Sequence, residues 1–449
     1  DLSYSVTAFR QQYEGLRGGR LGESGHLRLY GLAVDHGGTR MADGTGRADG
    51  TSKRQVGFRA DTDVAPGQLT VQGDVYRGGD GPANNMAPKM RGANLLARWE
   101  SRLADGSPYR IQAYHDVQER DESITFRNRA ESFDLQFTHE PRLPDAHQLL
   151  WGGGYRTGKD ANEASPLVLF QPAERRLSWA NVFAQHQLRV DRWQFTTGLK
   201  AERNTYTGIE WLPSLRIAFD HGGHASTWGA LSRTVRAPAR VDRDFFLPGN
   251  PPFLIAGGDG FQSEVANVLE IGHRAQAGRD LSYSVTAFRQ QYEGLRGGRG
   301  APAVVANRIE GHADGIEAWG QWQPLEHTRF TAGYLGLRKD LRFSDLPTDT
   351  VSIPSLGNDP RHQWTLRAQF DLPRRTELDL HLRRVGALPA PAIPAYTALD
   401  ARIGWQVTPA VEVSLLAQNL LGREHTEFEP AATSSWFGRR LFLRMVVQL

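Results

Sequence analysis

Apolar and polar residues alternate along most of this chain. Leu281, Tyr283, Val285 and Ala287 are separated by Ser282, Ser284 and Thr286. Trp364, Leu366, Ala368 and Phe370 alternate with Thr365, Arg367, Gln369 and Asp371. Leu378, Leu380 and Leu382 do so with Asp379, His381 and Arg383, and Val411, Val413 and Leu415 with Glu412 and Ser414. At the end Leu441, Leu443, Met445, Val447 and Leu449 alternate with Phe442, Arg444, Val446 and Gln448. A period of two puts one apolar and one polar face on a β-strand. Roughly twenty such segments of about 8–12 residues recur, the span of a tilted membrane strand. No helical period lies between them.

Alternation alone also fits a water-soluble sandwich, whose apolar faces point inward. The number of strands exceeds an ordinary sandwich, and no repeat of about 40–50 residues marks a propeller. A closed barrel with a wide polar lumen fits better. The connections support it, because short and long ones alternate. The short ones are residues 189–192, 221–225, 276–280, 372–375 and 407–409. The long ones are residues 35–53, 156–175, 236–263 and 340–359. Short turns on one side and long loops on the other are the pattern of an outer-membrane barrel, with the short side periplasmic. The last strand is then expected to run down and end near the periplasm.

Composition adds exclusions. The 449 residues include no cysteine, which removes disulfides, thiol nucleophiles and thiolate metal ligands. Only 39% of residues are hydrophobic, and the net charge is +3. No Lys/Arg block marks a nucleic-acid tail. No apolar run reaches the length of a membrane helix, which says nothing against a barrel. No leader is recognised ahead of Asp1.

One stretch occurs twice. "DLSYSVTAFRQQYEGLRGGR" spans residues 1–20 and again residues 280–299. Its pattern predicts a strand followed by the start of an Arg/Gly-rich loop. The division expected is therefore a duplicated strand segment at 1–20 and one barrel at 21–449.

Several stretches, taken in order, resemble the TonB-dependent outer-membrane receptors. They are "WLPSLRIAFD" from Trp211, "WGALSRTVRAPARVDRDFF" from Trp228 and "LEIGHRAQ" from Leu269. The run from Thr397 to Pro430 with "GRRLFLRMVVQL" from Gly438 resembles the closing strands, and "NLLGREHTEF" at Asn419 is the most specific piece. The resemblance covers nearly everything from Leu27 onward. It implies an all-β fold, a large antiparallel transmembrane β-barrel of about 20–22 strands.

Such receptors also carry an N-terminal plug and a segment that binds TonB, and neither is recognised in this sequence. "GHLRLYGLAVDHGG" from Gly25 resembles about the third strand of such a barrel, so a barrel truncated at its N-terminus is expected. The family usually ends in an aromatic residue, whereas this chain ends in Leu449. The copy at Asp1 then reads as a misplaced duplicate strand, able to patch an open edge that lipid would make costly.

Candidate chemistry is sparse. His425, Glu427 and Glu429 would share one face of a strand, a spacing open to a metal, but the reading adopted is polar residues of lumen or loop. Asp43 and its neighbours lack the spacing of a calcium loop and read as a surface loop. No GxSxG elbow supports a hydrolase. In the long loop, Arg236, Arg240 and Arg243 are interleaved with Phe245 and Phe246. Arginine beside aromatic rings is how a planar, anionic ligand is gripped. Arg236, Arg240, Phe245, Phe246 and Trp436 are the candidate ligand-binding residues. Trp436 and Phe437 are alternatively placed in an interfacial aromatic girdle.

The function implied by the resemblance is active import of a scarce, bulky nutrient across the bacterial outer membrane, a ferric siderophore first, energised through TonB. The implied partners are TonB, a metal chelate, and outer-membrane lipid with lipopolysaccharide, and the barrel is expected to be a monomer. No catalytic residue, metal site, cofactor or nucleic acid is expected. A passive porin-like channel, an ungated barrel fragment and an adhesin or structural barrel are the alternatives.

Overall fold

The computed structural model describes residues 13–20, 25–38, 41, 43–46, 49–80, 88–122, 125–345, 352–422, 424–427 and 435–447. One large sheet holds 24 strands. Three of them, Leu169–Phe170, Phe245–Leu247 and Ile255–Ala256, are two or three residues long. The other twenty-one form a wall in chain order, from Tyr13–Arg20 and Gly25–His36 to Val411–Gln418 and Arg440–Val447. Every wall strand is antiparallel to the next. The expected all-β antiparallel architecture is thus observed. Helix is limited among the described residues to Arg240–Arg243 and Ser352–Leu356.

Register fixes which residues face lipid. Val56 opposes Val75 and Leu95 opposes His115, which opposes Phe133. Ile403 opposes Leu415, which opposes Leu443. The apolar side chains among these are solvent-exposed in the isolated chain, as are Val182, Leu231, Ile271 and Ile316. Leucines bared to this degree in water would be costly, and a lipid belt is their matching environment. At the short-turn end the same face carries aromatic rings. Trp193 lies 4.7 Å from Phe219, Trp322 5.6 Å from Phe330, and Phe137 5.5 Å from Trp151. An aromatic girdle is expected where apolar band meets headgroups.

The opposite face is polar and lines the lumen. Arg402 bonds Glu377 and Asp379 at 2.9 and 3.0 Å and also Glu412. Arg59 holds Asp61 at 2.8 Å, and Arg156 holds Asp134 at 2.9 Å. Tyr30 takes a hydrogen bond from Gln55 at 2.8 Å.

The short connections are tight hairpins. Asp191, His224, Arg374 and Arg375 have φ of 53°, 70°, 63° and 59°, the left-handed region that such turns demand. The long connections lie on the other side, and Arg440–Val447 runs from that side toward the short turns, as expected.

Strand length departs from expectation. Ala303–Leu325 has 23 residues and Leu281–Arg299 has 19. Hairpins continue past the lipid belt into water, where polarity no longer alternates and the sequence pattern fades. The Arg/Gly-rich end of the repeated stretch is likewise strand rather than loop. Gly294, with φ of 65°, sits in a bulge that lets the ladder to Ala303–Leu325 continue.

The first copy contributes Tyr13–Arg20, laid along Gly25–His36 with Tyr13 opposite Ala33 and Arg20 opposite His26. It runs toward the short turns, whereas the same eight residues at 292–299 run toward the long loops. Residues 1–12 of that copy lie outside the described residues, as do Glu429 and Leu449. Among the described residues no ladder joins Tyr13–Arg20 to Arg440–Val447. The two ends of the wall are nonetheless brought near each other at the long-loop side, where the Ser435 hydroxyl donates to Asp49 at 3.4 Å.

Candidate functional site

The connection 237–263 crosses the mouth of the barrel on the long-loop side. Phe245–Leu247 pairs with Leu169–Phe170 from one distant connection and with Ile255–Ala256. Ile255–Ala256 then pairs, in parallel, with Ala303 and Val304 of the wall. The result is a short ribbon spanning the mouth from the hairpin at 164–173 to the one near residue 300.

A buried charge knot anchors this ribbon. The helical turn Arg240–Arg243 begins where Asp242 accepts the Ala239 amide at 2.8 Å. Asp242 is 1% exposed. It accepts Arg236 at 2.9 Å and forms an ion pair with Arg296 at 3.0 Å that lacks hydrogen-bond alignment. Asp244 accepts Arg240 at 3.0 Å, Tyr206 at 2.9 Å, and Arg175. Arg240 is 5% exposed and reaches Asp160 at 2.7 Å, the carbonyls of Pro172 and Ala173, and the face of Phe170 at 5.0 Å. Arg243 donates to the Phe261 carbonyl at 2.8 Å and lies 5.0 Å above Tyr206. Burial, and then the Asp244 charge, push the Tyr206 phenol far above the usual tyrosine range.

The geometry distributes the candidate residues unequally. Arg236, Arg240, Phe245 and Phe246 come together in the ribbon and its anchor. Arg240 is consumed by the protein's own carboxylates. Arg236 bonds Glu264 and Asp242 and covers Phe261 at 5.7 Å, but its side chain stays 46% exposed. Phe245 packs edge-on against Phe170 at 5.5 Å, and Phe246 lies 4.8 Å from Phe253. Beside Phe253, Leu254 is 70% exposed.

Trp436 stands apart, half-buried in the connection 419–439, next to Phe437, which exchanges backbone hydrogen bonds with His425. Neither ring lies in the aromatic girdle of the short-turn end. His425 does meet Glu427, at 3.1 Å, and stacks 4.2 Å from Tyr396. Among the described residues no group of three such side chains suits a metal. Asp43 caps its own loop by accepting Thr45.

Sequence reasoning missed the carboxylates. Asp242 and Asp244 stand inside "RVDRDFF" and signal internal pairing, but Asp160 comes from the wall strand His147–Glu163 and Tyr206 from the hairpin at 205–207, and they left no trace.

No curated protein matches the sequence significantly. Solved structures do match in shape. The ferric enterobactin receptor of Pseudomonas aeruginosa, as a mutant, superposes with a TM-score of 0.76 at 12% identity, over 97% of this chain and 77% of that one. The siderophore receptor PirA of Acinetobacter baumannii gives 0.78 at 12% identity, over 98% and 78%. The FrpB iron transporter of Neisseria meningitidis, in its apoprotein form, gives 0.78 at 14%, over 97% and 78%. At these identities the likeness is one of fold. The family model described as TonB dependent receptor-like, beta-barrel, matches residues 21–420. The family comprises transporters of the bacterial outer membrane, not enzymes, and with nearly the whole wall inside the match this chain belongs to the TonB-dependent receptor β-barrels.

Proposed function

We propose that this chain is the barrel of an outer-membrane receptor that imports a ferric siderophore, energised through TonB acting on a plug. The observation that carries the reading is the family match across residues 21–420, supported by barrels of the same fold that are named siderophore receptors and iron transporters. The ribbon across the mouth supplies the outer part of the ligand site. In this reading Arg236, half exposed, and the apolar surface of Phe245, Phe246, Phe253 and Leu254 meet the chelate, with Trp436 approaching from the connection 419–439. Arg240 acts by holding the ribbon in place. The barrel works as a monomer within the outer membrane.

The test is binding by the purified barrel in detergent, read through quenching of its 11 tryptophans. Ferric catecholate, ferric hydroxamate and haem are titrated separately. Saturable binding of one ferric chelate, weakened by Leu254→Asp and Phe246→Ala, is expected. No binding of any chelate, together with a steady conductance for small neutral solutes in planar bilayers, would replace this reading with the passive channel.

A further inference from the structure

Two histidines face each other on the outward side of the wall, at its short-turn end. His147 opens the strand His147–Glu163, and His186 stands near the end of Glu174–Val190. These strands pair without a bulge, so the faces follow from alternation. His147 shares its face with Trp151 and His186 with Val182, both exposed on the lipid side. His186 lies opposite Leu149, one pleat from His147. The turn beside them is fixed. The His147 amide donates to the Pro144 carbonyl and the Arg189 amide to that of Ala146, both at 2.8 Å. The two imidazoles, half-buried, thus sit at the rim of the belt.

His147 Nδ1 and His186 Nε2 are 3.0 Å apart. The ring centroids are 5.2 Å apart, with the ring planes 21° from parallel. The centroid separation exceeds the nitrogen gap only by the radii of the two rings, so the nitrogens point at each other, head-on. One hydrogen fits between them, and one ring donates while the other offers its lone pair. Among the described residues neither ring bonds a carboxylate, and no third side chain of a metal-binding type joins them. Their polar neighbours Gln148 and Gln187 bond each other at 3.1 Å on the lumen face. Other histidines of this rim are occupied. His221 and His273 both bond the Thr227 hydroxyl, at 2.8 and 2.9 Å. His139 meets the Trp151 indole at 3.0 Å and Ser107 at 2.9 Å.

We propose that His147 and His186 bind a soft monovalent cation, copper(I), in linear two-coordinate geometry through Nδ1 and Nε2. The ion takes the place of the shared hydrogen. That hydrogen passes through water to the other nitrogen of the donor ring, so both imidazoles stay neutral and each offers one lone pair. A metal–nitrogen bond of about 2 Å sets the two nitrogens about 4 Å apart. Each ring then withdraws by about 0.5 Å, a small change for its side-chain torsions. A structural zinc ion takes four protein ligands, and calcium or magnesium takes oxygen, so none of these suits the pair. Imidazole suits copper, and the chain holds no cysteine to compete. The proposal is independent of the siderophore reading and uses a different face of the barrel.

The experiment is native mass spectrometry of the detergent-solubilised barrel, titrated with silver(I) as an air-stable probe and, separately, with zinc(II). One tightly held silver ion per barrel is expected, weakened roughly tenfold or more in His147→Gln and equally in His186→Gln. Met445→Leu removes an exposed thioether and should leave this binding unchanged. Zinc should bind more weakly than silver. X-ray absorption of the copper(I) form should show two nitrogen neighbours and no sulfur. Heat-modified gel mobility shows that each variant is folded. Equal silver affinity in a folded glutamine variant and in the original would overturn the proposal. Zinc bound as tightly as silver would overturn it too, as would a third nitrogen or a sulfur beside the copper.

Discussion

Replacing Arg240 with methionine tests whether the buried charge knot holds the mouth ribbon. Methionine keeps the aliphatic stem and removes the guanidinium. In the structure that group bonds Asp244 at 3.0 Å and Asp160 at 2.7 Å, covers Phe170, and is 5% exposed. Breaking a buried ion pair by deleting one partner costs about 3–5 kcal/mol. Asp244 keeps Arg175 and Tyr206, and Asp160 keeps Asn162 at 2.7 Å. The lower end, about 3 kcal/mol, is therefore expected.

The loss should fall on the ribbon, since the wall strands are held by their own ladders. At 1.4 kcal/mol per factor of ten, amide exchange in the ribbon should quicken roughly 100-fold. The amides to follow are Leu254, which donates to Leu247, Gly257 to Phe245, Ala303 to Leu254 and Gln171 to Asp244, all at 2.7–2.8 Å. Hydrogen exchange with mass spectrometry resolves these peptides from the wall. Unchanged protection in the ribbon would refute the reasoning, as would an equal loss over the whole barrel.

Three further outcomes are expected. Tyr206→Phe removes the donor to Asp244 and should cost about 1–2 kcal/mol of ribbon protection. Because the folded phenol titrates above its ordinary value, its contribution is whole below about pH 10 and is lost as pH rises toward the raised value. Exchange measured across that alkaline window should lose this step in Tyr206→Phe, and an identical profile would contradict the assignment. Leu443, 77% exposed on the lipid face, should tolerate arginine poorly, by about 2–4 kcal/mol in urea-dependent folding into lipid vesicles. Arg444→Gln, on the lumen face of the same strand, should cost much less, and equal costs would mean that the two faces are assigned wrongly. Gly294→Val forces a β-branched residue to a φ of 65° against Asn307 and should cost about 1–3 kcal/mol in the same folding assay. A neutral result would remove the bulge argument.

Most of the wall is legible in the sequence because lipid enforces it. A strand with hydrocarbon on one side and water on the other must alternate, so Leu441, Leu443 and Met445 announce their own face. The sidedness is legible as well, since the long connections collect at one end. The ribbon is not legible. Its strands are two or three residues long, too short for a period, and their partners at 169–170 and 303–304 are remote in the chain. The arginines of the long loop were visible as residue types, but their role depends on Asp160 and Tyr206, which only folding brings near. Strand ends are the third gap, because a hairpin above the belt keeps its ladder after its alternation has gone.

The count of strands has a geometric consequence. In a meander each strand reverses the one before, so an even ring brings its first and last strands together antiparallel. The wall described here has twenty-one, and Tyr13–Arg20 and Arg440–Val447 both run toward the short turns. A direct ladder between them would be parallel, with slanted hydrogen bonds and slightly less stability per residue.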